Sequence, residues 1–62
     1  MKPIDIAYQI KKAGFTQKDI ADRVNKTSQA INQAIWHGRG SEEVKGAIAE
    51  VLGKTINEVW PK

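Results

Sequence analysis

The chain has 62 residues, with 10 basic and 7 acidic side chains, one histidine, no cysteine and a net charge of +3. A chain of this length forms one small domain that buries only about 60% of its unfolded surface, so residues 1–62 are read as a single domain with an economical core. The lack of cysteine excludes disulfides, thiolate metal sites and thiol catalysis, and a lone histidine with no carboxylate constellation argues against an enzyme, a metal centre or a bound cofactor.

Ile6, Ile10 and Ala13 recur at i, i+4 and i+7, which predicts a helix over 4–13 with one apolar stripe, ended by Gly14. Thr16 is a suitable N-cap for the next helix. Asp19 stands three residues on, as in a capping box, and Phe15 and Ile20 are spaced as a hydrophobic staple. Ile20, Ala21 and Val24 then form the buried face of a helix over about 17–24. Asn25 and Lys26 break the pattern, and asparagine tolerates the left-handed conformation common at helix ends.

Thr27 caps a third helix whose apolar positions are Ile31, Ala34 and Ile35, with Gly38 and Gly40 stopping it. Ser41 caps a fourth, with Glu42 and Glu43 in the first turn, where the helix dipole favours negative charge. Its stripe is Val44, Ala47, Ile48, Val51 and Leu52, and Gly46 within the helix costs ~1 kcal/mol relative to alanine and leaves room for another backbone without requiring one. Gly53 stops this helix. Thr55 and Glu58 then form a second capping box, opening a short turn with Ile56, Val59 and Trp60. No segment alternates with period two, so the expected fold is all-α, a compact bundle of four or five short helices.

Charge is unevenly placed. Up to Gly40 the balance is +4 and beyond it −1, and no carboxylate occurs between Asp22 and Glu42. That stretch holds Thr27, Ser28, Gln29, Asn32, Gln33 and His37, with basic residues at its edges, a composition suited to a polyanion whose bases are also read. No apolar run approaches the ~18 residues of a membrane span and no leader pattern opens the chain, so a soluble, cytoplasmic protein is expected. Gly38-Arg39-Gly40 follows no strand signal and is not read as a nucleotide loop.

Two short helices joined by so brief a turn have to cross steeply, as in a helix-turn-helix. Burial of Ile31, Ala34 and Ile35 turns Ser28, Gln29, Asn32 and Gln33 outward. Asparagine and glutamine can bond adenine in bidentate fashion, each such pair giving ~1–3 kcal/mol of discrimination. Lys18, Lys26, Arg39 and Lys45 are the cations expected near this helix and its phosphates. Trp36 is expected to cap the core, partly buried, with a place on DNA backbone as the alternative. His37 is expected to lie in an exposed loop near phosphate, and Trp60 with Ile56 and Val59 either to close the core over Val51 and Leu52 or to anchor a dimer.

Residues 16–36, TQKDIADRVNKTSQAINQAIW, resemble the helix-turn-helix of phage repressor and Cro-type proteins, the λ-repressor-like fold. The stretch Ser41 to Pro61, with AIAEVLG followed by NEVWP, resembles the C-terminal half of small Ner-type regulators of phages and bacterial genomes. The resemblance implies a sequence-specific double-stranded DNA-binding regulator, expected to be a repressor, whose recognition helix at about 28–36 lies in the major groove. It implies that Gln17 contacts a phosphate and braces the recognition helix, and that Thr27, Ser28, Gln29 and Gln33 face the groove, Thr27 at its phosphate edge. Asn25 stands where the family has glycine, and Ala34 is smaller than the usual aliphatic residue, so Ile35 or Trp36 is expected to fill that space. The expected partners are a palindromic operator and a weak or DNA-induced second copy. The alternative is an antitoxin or adaptor that uses the same fold to bind another protein. Structured RNA fits less well, because the outward face lacks stacking aromatics.

Overall fold

A computed structural model describes residues 1–61 as five helices. They are α1 (Pro3–Lys12), α2 (Gln17–Arg23), α3 (Ser28–His37), α4 (Glu42–Leu52) and α5 (Ile56–Val59), with no strand among the described residues. The expected all-α class is the one observed.

The helix boundaries follow from local chemistry. α1 opens with Pro3 in its first turn, where a missing N–H costs nothing, and carries Asp5 near its N-terminus and Lys11 and Lys12 near its C-terminus, as the dipole prefers. It closes when Phe15 N–H reaches Ile10 O (3.1 Å) across Gly14, whose φ is +87°. Ala13, expected on the buried stripe, is exposed, because the helix has ended and Ala13 belongs to the turn; half-buried Ala7 lies against the core instead.

Both capping boxes form. Thr16 Oγ1 accepts from Asp19 N–H (3.1 Å) while the Asp19 carboxylate accepts from Thr16 N–H (2.9 Å), and Thr55 and Glu58 repeat the arrangement at 3.2 and 3.0 Å. α2 ends one residue earlier than its apolar pattern implies, leaving Val24 half-buried at the cap. Asn25 takes φ +56°, and Lys26 N–H closes on Ala21 O at 2.9 Å, so asparagine performs the left-handed helix-ending role usually given to glycine.

The core consists of Ile6, Ile10, Ile20, Ala21, Ile31, Ala34, Ile35, Val44, Ile48, Ala49 and Val59. α4 meets every other helix. Its buried arc is therefore broad and turned from the expected stripe: Val44, Ile48 and Ala49 are buried, whereas Ala47, Val51 and Leu52 are only half-buried.

The space beside Ala34 is filled neither by Ile35, which points into the core, nor by Trp36, which is exposed. It is closed by the α3–α4 connection and by the end of the chain. A Cβ on Gly40 would stand 3.3 Å from Ala34 Cβ, and Trp60 Nε1 donates to Ala34 O at 3.1 Å. An added side-chain carbon at either position would push the connection away from the core. Trp60 thus closes the core, and Val59 is wholly inside it.

Gly46 is not required by a close backbone. The nearest atom to an added Cβ is Ile56 Cδ1 at 3.9 Å, an ordinary contact. Gly46→Ala should therefore stabilise the domain by about 1 kcal/mol, through the better helix propensity of alanine. A rise in the urea midpoint without a change in slope is the expected reading; a fall would mean the helix interface tolerates no methyl there.

The capping boxes also set an acid dependence. Hydrogen bonds from the Thr16 backbone and side chain hold the Asp19 carboxyl below its ordinary 3.8, and those from Thr55 hold Glu58 below 4.5. A lowered folded-state pKa gives stability that is present above the ordinary value and lost as the pH falls through the folded one. Urea unfolding should therefore show stability declining as the pH drops through and below 4.5 and 3.8, and Asp19→Asn with Glu58→Gln should flatten that decline.

Candidate functional site

The outward side of α3 is dictated by its inward side. Ile31, Ala34 and Ile35 are fully buried, so the helical repeat leaves Ser28, Gln29 and Asn32 exposed and Gln33 half-buried at the edge. Thr27 starts this face, its Oγ1 accepting from Ala30 N–H at 3.3 Å, which leaves the hydroxyl proton free to donate outward.

Two groupings of the sequence-derived residues emerge. In the first, α2 approaches the middle of α3: Gln17 Nε2 donates to Asn32 Oδ1 at 3.5 Å, a long bond that sets the two amides side by side. It leaves the Asn32 amide nitrogen directed to solvent as a donor, and it joins the start of α2 to the exposed face of α3. In the second, Lys26, Ala30, Gln33, Arg39, Gly40, Ser41 and Val44 line an open groove of about 390 Å³ between α3 and the start of α4. Lys26 and Arg39 bring positive charge to this groove from the two ends of α3, with Gln33 between them in sequence. Lys18 is exposed in the first turn of α2.

Lys45 does not join them. It is half-buried, and its Nζ lies 5.5 Å from the centre of the Trp60 ring, a cation–π contact inside the chain. An ammonium held there lies beside α4 and the Trp60 ring, apart from the groove that Lys26 and Arg39 line.

Trp36 is the residue that sequence reasoning misplaced. It is 44% exposed, and it continues the Gln29, Asn32, Gln33 series at i, i+3, i+4 and i+7. That spacing was available in the sequence, but the apolar ring argued for the interior. His37 is exposed as the last residue of α3 and not in a loop.

At the end of the chain the core-closing arrangement, one of the two expected, is the one observed. Val59 is wholly buried, and Ile56 and Trp60 pack half-buried against the same core, so these side chains are used within one copy. Among the described residues no group of three histidine or carboxylate side chains converges as a metal site would require.

The face therefore offers hydroxyls and amides that donate and accept, three exposed cations around them, an exposed indole, and no carboxylate on α3 itself. Such a surface can hydrogen-bond the edges of planar heterocycles and attract phosphates. Comparison with protein families, with curated proteins and with solved structures returns no match.

The two tryptophans should report this geometry separately. With Trp60→Phe, the remaining Trp36 should emit at long wavelength and be readily quenched by iodide; with Trp36→Phe, the remaining Trp60 should emit to the blue and resist quenching. Trp60→Phe should also cost about 1 kcal/mol in urea unfolding for the hydrogen bond lost to Ala34 O. Equal quenching of the two variants would contradict the placement of the rings.

Proposed function

We propose that the chain is a λ-repressor-like helix-turn-helix domain that binds double-stranded DNA in a sequence-specific manner and acts as a transcriptional regulator, a repressor of the Ner or Cro type. The observation that carries this reading is the exposed face of α3. Ser28, Gln29 and Asn32 stand outward from a helix locked by three buried residues, beside Gln17 of the preceding helix and flanked by Lys26 and Arg39.

In this reading α3 enters the major groove. Ser28, Gln29, Asn32 and Gln33 read base edges, Thr27 lies at the groove's rim, and Gln17, Lys18, Lys26 and Arg39 hold phosphates. The Gln17–Asn32 contact favours a division of labour in which one amide bonds a phosphate while fixing the orientation of the amide that reads a base. Trp36, open at the end of the same stripe, would pack on sugar or a thymine methyl. One α3 covers only a handful of base pairs, so a specific site takes two copies on a palindrome, with half-sites about 34 Å apart. In this reading its place of action is the cytoplasm of a bacterial or phage-infected cell. No helix among the described residues is long and apolar enough to cross a membrane.

Selection of bound duplexes from a random pool by the purified protein tests the reading. Enrichment of a palindromic motif is expected, with a log–log salt slope of about −0.9 for each phosphate neutralised. Arg39→Ala should weaken binding to all duplexes nearly equally, whereas Gln29→Ala should relax preference at one base position by ~1–3 kcal/mol with the fold intact. No enrichment, or binding indifferent to salt, would refute it.

A further inference from the structure

Among the described residues the large hydrophobic side chains most open to water are Ile4 (66%), Tyr8 (61%) and Trp36, and the first two lie one turn apart on α1. They sit opposite Ile6 and Ile10, which anchor α1 in the core. Around Tyr8 the face has a particular symmetry. Ile4 and Asp5 precede it by four and three residues, Lys11 and Lys12 follow by three and four, and all five are exposed. None of Asp5, Lys11 and Lys12 has an ion-pair partner among the described residues.

We propose that this face binds the same face of a second copy of the chain, the two α1 helices running antiparallel about a two-fold axis through Tyr8. Such an axis keeps each lateral edge of the face on its own side while reversing the chain direction, so the position three residues before Tyr8 meets the position four residues after it on the other copy. Asp5 of each copy then meets Lys12 of the partner subunit, twice over, and Ile4 lies along the aliphatic stem of the partner's Lys11. The two Tyr8 rings meet at the centre, where offset stacking is favourable. Antiparallel pairing also sets the acidic beginning of one helix beside the basic end of the other, in keeping with both dipoles. Parallel pairing would place lysine against lysine.

Asp5 is what selects this occupant. A foreign acidic helix would gain from Lys11 and Lys12 but be repelled by a carboxylate next to the apolar pair, whereas a second copy satisfies both signs. Two apolar side chains per copy supply far less than the ~800 Å² per partner of a standard interface, so the pairing is weak and concentration dependent. It rests on α1 alone and not on the DNA-binding reading, although it would bring two α3 helices into one assembly.

Sedimentation equilibrium of the purified chain without DNA, from micromolar to millimolar concentration, tests it. A reversible monomer–dimer equilibrium is expected. Tyr8→Ser should lower the association constant about tenfold or more, with helical content unchanged by circular dichroism because the side chain is outside the core. Asp5→Lys and Lys12→Asp should each weaken association, and the two together should restore it, since the reversed pair is again complementary. A monomer at every concentration, association indifferent to Tyr8→Ser, or a double variant no better than either single one would overturn the proposal. Because DNA is absent throughout, its failure leaves the duplex-selection result untouched.

Discussion

The structure depends on how α3 is seated. Ile31, Ala34 and Ile35 lie wholly inside the core, and burying a large aliphatic side chain contributes about 1.5–3 kcal/mol. A domain of this size has few such contributions, so α3 cannot rotate about its axis without losing a large share of its stability. The outward direction of Gln29, Asn32 and Trp36 is thus a consequence of the core and not of interactions among the surface residues. A polar face held this way is rigid before anything binds, which lowers the entropic cost of recognition.

Ala34 connects that seating to the rest of the chain. Its small side chain lets the connection through Gly40 pass against α3, and its carbonyl accepts from the Trp60 indole across the domain. The last residues therefore brace the C-terminal end of α3, with Lys45 lying over the same ring. Arg39 leaves α3 beside this closure, through Gly38 in the left-handed conformation (φ +64°), with its own N–H bonded to Gln33 O at 3.3 Å. An exposed cation is thereby mounted on a turn fixed by both of its neighbours.

Charge is divided by element. α3 carries amides and hydroxyls with cations at its margins, α4 begins with two glutamates, and α1 is acidic at its start and basic at its end. The link between α2 and α4, Arg23 to Glu50 at 3.4 Å, is solvent-exposed and adds little to stability. With so little stabilisation available from ion pairs, the helix boundaries rest on hydrogen-bonded caps. Thr16, Thr27, Ser41 and Thr55 each accept from a backbone N–H of the first turn. In a small domain these four caps, at about 1 kcal/mol each, are comparable with the contribution of individual core residues.

Local chemistry made the helix starts and stops legible in the amino-acid order, because a cap or a left-handed residue acts within four positions of itself. All four side-chain caps, the left-handed Asn25 and the outward run of Ser28, Gln29 and Asn32 were readable on that basis. What required the tertiary structure was every matter of which neighbour fills which space. Val59 lies inside the core and Trp36 outside it, although both side chains are apolar, because α4 packs against α5 over the first and no helix among the described residues packs over the second. Lys45 lies over Trp60, and Gly40 fills the space left by Ala34, through approaches between residues far apart in sequence or on different elements. Periodicity tells which way a side chain points on its own helix; whether a neighbouring helix or water meets it there is decided only when the helices pack.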